Sequence, residues 1–486
     1  MRIRALAVAA IAGLFAFPAG AQPLFANPLD SAAGYRAARG DAPAATHRFR
    51  YEVTVTETGK APVVSEAVFD IAPDWALYAK DGTAVLQDFR LNRQFELHDD
   101  SFTTLNGMAS LVFRVMERQN RTYLGSVLSA VGADDMMSDC GSDAELGLSL
   151  PGAKSTSKVA VTNGADGAVI VTCDGREAGR FTAGSGAAPA ALWPTLFNMT
   201  VMHPTLFKRV RESGAPPQSF ATVTAMGDTT RATSYRLIAA EAGAVAYPLT
   251  DAMRNTTAAK FEELIGPGGA QLAIDAVAGT AQGGPPTLQS WGETLGGLMQ
   301  TDPAAAGMLM LPSFNMFPEL QCGAQQHPIC ALARGLNAMK ATEPAPMALM
   351  EMSMAEQPGN ADVAIKAMQT IMSSRHRDSP AAAGSFALVL MTFRRADIDK
   401  VKAAGLPTDI KALQAKALMA LPYNVAYWTD AGDPLGQSYR WAEATLFYDV
   451  AHALPMPNAV KSNGALIGKR DVFANIRRDF PDAFLP

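Results

Sequence analysis

The period of the hydrophobic pattern changes part-way along the chain, and this change limits the possible folds more than any other feature. From Arg48 onward, Phe49, Tyr51, Val53 and Val55 alternate with Arg50, Glu52, Thr54 and Thr56. An extended chain turns successive side chains to opposite faces, so this segment predicts a half-buried strand. Further strands are expected at 63–71, 76–80, 88–97 and 101–105, with turns at Gly59-Lys60 and Asp81-Gly82. A helix is expected over 108–130, where Leu111, Val115, Leu124 and Leu128 share a face. After a turn-rich stretch at 133–157, strands resume at 158–162, 168–173 and 177–182. A helical insert at 189–211, broken at His203-Pro204, precedes strands at 220–225 and 233–240.

Beyond about Ala246 the two-residue period stops. Helices are expected at 250–265, 271–278, 287–300 and 318–340, and in close succession from 346 to 454. The fold class is therefore α+β. A β-rich domain at 46–245, read as an incomplete barrel with helical inserts, is followed by an all-α domain at 246–486 built from stacked helix pairs. Residues 22–45, rich in Ala, Pro, Gly and Asp, read as a flexible leader. A length of 486 residues fits two or three domains at about 150 residues each.

The N-terminus places Arg2 and Arg4 before an apolar run from Ala5 to Phe17, and Pro18-Ala19-Gly20-Ala21 after it. That order predicts a secretory signal peptide cleaved after Ala21, and the run is shorter than the roughly 20 residues that span a bilayer. The expected location is the bacterial periplasm, with no transmembrane segment in the mature chain. A net charge of −5 gives no basic footprint for nucleic acid.

Export bears on the four cysteines, because an oxidising compartment favours disulfides. Three pairings are possible. Closing the shortest loop costs the least chain entropy, which joins Cys322 to Cys330 and leaves Cys140 with Cys173.

One stretch carries a family pattern. From Leu421-Pro422-Tyr423-Asn424 to Pro457, Trp428 stands at a first large apolar position, Ala431-Gly432 at the place of a Leu-Gly pair, and Leu435 at a position that prefers an aromatic. Ala444, Tyr448 and Ala451 follow at small, aromatic and small positions of a second helix. The pattern resembles a tetratricopeptide repeat, and a weaker echo with Ala355, Ala367 and Ile371 lies at 346–374. In such a unit Gly432 and Ala444 would let two antiparallel helices approach, with Trp428 and Tyr448 filling the space around them. Pro434 falls inside the first helix and is expected to end it early. The resemblance implies a stack whose concave side binds a protein or peptide.

Motifs that would fix a chemistry are missing. Cys322, His327 and Cys330 lack the fourth ligand of a structural zinc site. The Met347, Met350, Met352 and Met354 cluster reads as helix packing rather than a copper site. Ser155-Thr156-Ser157-Lys158 lacks the companion elements of penicillin-recognising acyl transferases. No catalytic, metal or cofactor site is assigned, and no cofactor is expected.

The reading is therefore a non-enzymatic exported protein that binds a protein partner through its helical repeat. Two alternatives stand beside it. One is an apolar-ligand or lipid binder with a pocket lined by Phe69, Trp75, Phe89, Phe95 and Phe113 on the N-terminal sheet. The other is an enzyme whose site would show converging polar groups and a perturbed titratable residue.

Overall fold

The computed structural model describes residues 26–130, 139–152, 157–226, 229–317, 327–354, 361–456 and 464–485. The expected signal peptide, Cys322 and Ser155 lie outside these residues. Twelve strands form one open sheet: β1 (Ala45–Glu57), β2 (Val63–Ile71), β3 (Trp75–Lys80), β4 (Thr83–Asp88), β5 (Arg93–Leu97), β6 (Ser101–Asn106), β7 (Val159–Asn163), β8 (Val169–Cys173), β9 (Arg176–Ala183), β10 (Pro217–Met226), β11 (Thr229–Val245) and β12 (Arg254–Asn255). Their spatial order is β12-β6-β5-β4-β3-β2-β1-β11-β10-β9-β8-β7. Two antiparallel meanders are thus joined where β1 pairs with β11, Val53 opposite Tyr235.

The alternation read from Arg48 onward sets the two faces. The inner face carries Tyr51, Val53, Phe69, Val171, Phe181, Phe220 and Tyr235 into a core closed by α2 (Ala109–Ala130), α4 (Leu192–Met199) and α5 (Pro204–Glu212). On the outer face the intervening residues form a charge ladder: Arg48 with Asp70 at 2.7 Å, Arg50 with Glu66 at 2.8 Å, and Arg236 with Glu52 at 2.8 Å. Such opposite-charge cross-strand pairs support the pairing of β1 with β2 and β11. α3 (Asp139–Leu146) is locked to α2 by Arg118–Asp143 and to β8 by the Cys140–Cys173 disulfide, with 5.7 Å between the Cα atoms. Replacing Cys140 and Cys173 by serine is expected to cost about 3 kcal/mol, read as a lower urea midpoint under non-reducing conditions.

Residues 32–39, expected to be part of a loose leader, instead form α1 (Ala32–Arg39), capped by Ser31. Propensity is not what orders this segment. Tyr35 is buried edge-on against Phe95 and Phe102 on the outer face of β5 and β6. The fully buried Arg39 guanidinium pairs with Asp88 and Asp74, both at 2.5 Å, and lies 4.7 Å from the Tyr247 ring. The proline, glycine and aspartate around it hid a helix held by tertiary contacts.

Three other boundaries differ from the pattern-based reading. The strand expected at 88–97 is two strands, because the chain turns at 89–92 with Asn92 at φ 51°. Of the helix expected at 250–265 only Ala259–Leu264 is helical. Upstream of it, Arg254 N–H donates to Asp100 O, and Asn255 Nδ2 donates to Pro28 O and Asp30 O, drawing the backbone into β12. Pro434 does not end its helix, which runs Val425–Gln437. Proline cannot donate to the Asp430 carbonyl, and Gln414 Nε2 takes its place at 2.9 Å.

Beyond β12 the chain is helical, and its core is not separate from that of the sheet. The Trp441–Ala453 helix gives Ala444 and Tyr448 to the inner-face core and Leu446, Phe447, Val450 and Ala451 to the helical core. Phe473 and Ile476 of the Gly464–Asp479 helix, and Phe480 just after it, return to the inner face as well. No described helix is long and apolar enough to cross a membrane.

Candidate functional site

Towards the β3–β4 and β10–β11 turns the inner face is not filled. A cleft of about 520 Å³ opens there between β1, β3, β10 and β11, and is bounded by Glu145 of α3, by Met199 at the end of α4 and by Val201 of the α4–α5 connection. Pockets of about 300–1,000 Å³ accommodate small-molecule ligands. Its floor is Val55, Tyr78 and Tyr235, backed by an aromatic cluster. The Phe220 and Tyr235 rings stack at 4.3 Å, and Phe69 lies 4.9 Å from Tyr78. Burial pushes the Tyr78 and Tyr235 phenols upward in pKa, so they stay neutral. A rigid apolar floor is thus fixed by core packing.

The walls are more polar. Thr222, Thr224, Thr229 and Thr233 line the β10–β11 side, while Glu57, Lys80, Glu145 and Arg231 stand at the mouth. Val201 is 41% exposed, an apolar side chain turned to the opening. Among the described residues the lining holds no histidine or cysteine. The arrangement suits binding of a molecule with an apolar body and polar ends.

A perturbed titratable group lies elsewhere. Arg93 of β5 and Asp449 of the Trp441–Ala453 helix form an ion pair with both side chains fully buried, and Arg93 Nε donates to Thr104 Oγ1 at 3.1 Å. Burial pushes the Asp449 carboxyl up to about 6, opposed by Arg93 and by Asn106. Asp449 is not among the cleft residues, so the perturbed carboxyl and the cleft do not combine into one site.

The aromatics expected to line one pocket do not do so. Phe69 and Phe89 belong to the inner-face core, whereas Trp75 and Phe95 pack on the outer face under α1. All four are buried and Phe113 is half-buried. The alternation assigns faces, but Trp75 and Phe95 carry the opposite parity from Phe69 through the β2–β3 and β4–β5 registers. The strand residues that do line the cleft were legible only as inner-face positions near strand ends.

The Val425–Gln437 and Trp441–Ala453 helices pair closely. A Cβ at Gly432 would stand 2.7 Å from the Tyr448 ring and 3.1 Å from Ala444 O. Trp428 is fully buried, and every residue from Ala444 to Ala451 is buried. Those five positions, Trp428, Gly432, Ala444, Tyr448 and Ala451, therefore face the protein's own interior and offer a partner no surface. Cys330 is buried and disulfide-bonded. Met352 is fully buried, with Met347 and Met350 half-buried against the helical core. Among the described residues no group of His, Cys, Asp or Glu is clustered to hold a metal ion.

No protein-family model matches the chain, and no curated protein does. A solved structure described as "Lipid-protein interactions in lipovitellin" is similar at 10% identity and a TM-score of 0.18. The similarity covers 84% of this chain and 56% of that one, so the chain spans little more than half of lipovitellin's length. Likeness at this level carries no argument about fold or ligand.

Proposed function

We propose that this is an exported binding protein that holds an amphipathic small molecule in the cleft on the inner face of its sheet. The observation that carries the reading is the cleft itself, an opening of about 520 Å³ whose floor is a packed aromatic cluster and whose mouth is charged. An apolar body placed on Val55, Tyr78 and Tyr235 would leave water, while the threonine hydroxyls and mouth charges would keep a polar end solvated. The periplasmic location rests on the N-terminal charge, apolar and small-residue order. On this reading the Val425–Gln437 and Trp441–Ala453 pair is a tetratricopeptide-like unit turned inward, bracing the sheet instead of docking a partner.

The test is a titration of the full chain with a fluorescent fatty-acyl probe. Saturable binding is expected, and Val201→Trp, which fills the opening from an exposed position, is expected to weaken it at least tenfold while leaving the circular dichroism unchanged. Absence of saturable binding, or affinity indifferent to that substitution, would overturn the reading.

A further inference from the structure

The cleft also indicates which end of its ligand is charged. Along β11 the inner-face positions run Tyr235, Thr233, Arg231, and the register sets Arg231 opposite Glu57 on β1 and Thr224 on β10. At roughly 3.3 Å per residue, Arg231 stands about 13 Å along the strand from Tyr235, at the end away from the aromatic floor. Lys80 ends β3 at the same mouth.

The other charges at the mouth already have partners. Glu57 lies 2.6 Å from Lys60, Glu145 lies 2.6 Å from Arg121, and Lys80 lies 3.7 Å from Asp81. Arg231 has no ion-pair partner among the described residues, although Glu57 is its direct cross-strand neighbour. Its planar guanidinium offers a fork that matches a carboxylate, phosphate or sulfate in bidentate fashion.

Resting on the binding reading above, we infer that the ligand is an elongated anionic amphiphile: an aliphatic body over Val55, Tyr78 and Tyr235, and an anionic head received by Arg231 at the mouth. The polarity follows from the order of residues along one strand, apolar inside and cationic outside. A reversed ligand would bury its charged head on the floor of Val55, Tyr78 and Tyr235, away from the Arg231 cation.

The experiment compares ligands with one dodecyl tail and different heads on the full chain by calorimetric titration: laurate, dodecyl phosphate, neutral dodecyl maltoside and dodecyltrimethylammonium, each below its micelle concentration. The two anions are expected to bind about tenfold more tightly than the neutral ligand, an advantage that shrinks with added salt. Arg231→Ala is expected to bring the affinity for the two anions down to that for the maltoside in the same variant, and Arg231→Lys to retain part of the advantage. The position is exposed, so folding is not at stake. The laurate and phosphate arms separate a carboxylate from a phosphate head. Equal affinity for anionic and neutral heads, or a preference that survives Arg231→Ala, would overturn the inference while leaving the cleft reading standing. Failure of every ligand to bind would overturn both.

Discussion

Replacing Arg93 by methionine is expected to lower the free energy of unfolding by about 3–5 kcal/mol, because it leaves the Asp449 carboxylate buried without its cation. Removing both charges, in Arg93→Met with Asp449→Leu, is expected to recover most of that loss, since the cost comes from the orphaned charge rather than from the missing attraction. Urea unfolding of the two variants and the parent measures this, and a single variant as stable as the parent would show that the pair does not hold sheet and helix together.

The same pair gives a pH dependence with a defined sign. Asp449 is raised from 3.8 to about 6 in the folded chain, so the folded state binds this proton more readily than the unfolded state. Its contribution to stability is therefore fully present below about pH 4 and is lost as pH rises through about 6. In Arg93→Met the cation that opposes the shift is gone, so the loss is expected to grow and to move to higher pH. Unfolding curves collected from about pH 4 to 8 would show a steeper decline for the variant than for the parent. Parallel curves would mean that Asp449 does not titrate in the folded chain.

Trp428→Ala is expected to cost about 3–5 kcal/mol as well, for a different reason. The indole is fully buried with Phe261 and Phe447 around it at 6.0 and 6.1 Å, and its Nε1 donates to Pro422 O at 2.8 Å. Truncation leaves a large cavity and an unpaired carbonyl. Phe447 belongs to the helix that also gives Ala444 and Tyr448 to the core of the sheet. The loss should therefore appear together in the strand and helix signals of far-ultraviolet circular dichroism. A helical signal that melts early while the strand signal stays put would show that the two regions are energetically separate.

Much of the architecture was legible because it depends on local periodicity. Phe49, Tyr51 and Val53 declared a strand and its buried face, and His203-Pro204 declared a break between two helices, with Pro204 opening α5. Features held by distant contacts were not legible. Nothing near Arg39 announces that its guanidinium meets Asp74 and Asp88, and nothing near Pro434 announces Gln414. The candidate site falls in the second group: Val55, Tyr78 and Tyr235 have inner-face parity, but so do Phe69 and Phe220, which are sealed in the core.

By itself, the sequence determined that strands precede helices, which residues of each strand share a face, and where several turns fall, since these follow from side-chain spacing and backbone preference within a few residues. Only the tertiary structure decided which part of the inner face stays open, that α1 covers the outer face of β5 and β6, and that the Trp441–Ala453 helix is buried between sheet and helices. Those outcomes depend on packing between segments far apart in the chain, and a one-dimensional pattern carries no term for which surface meets which.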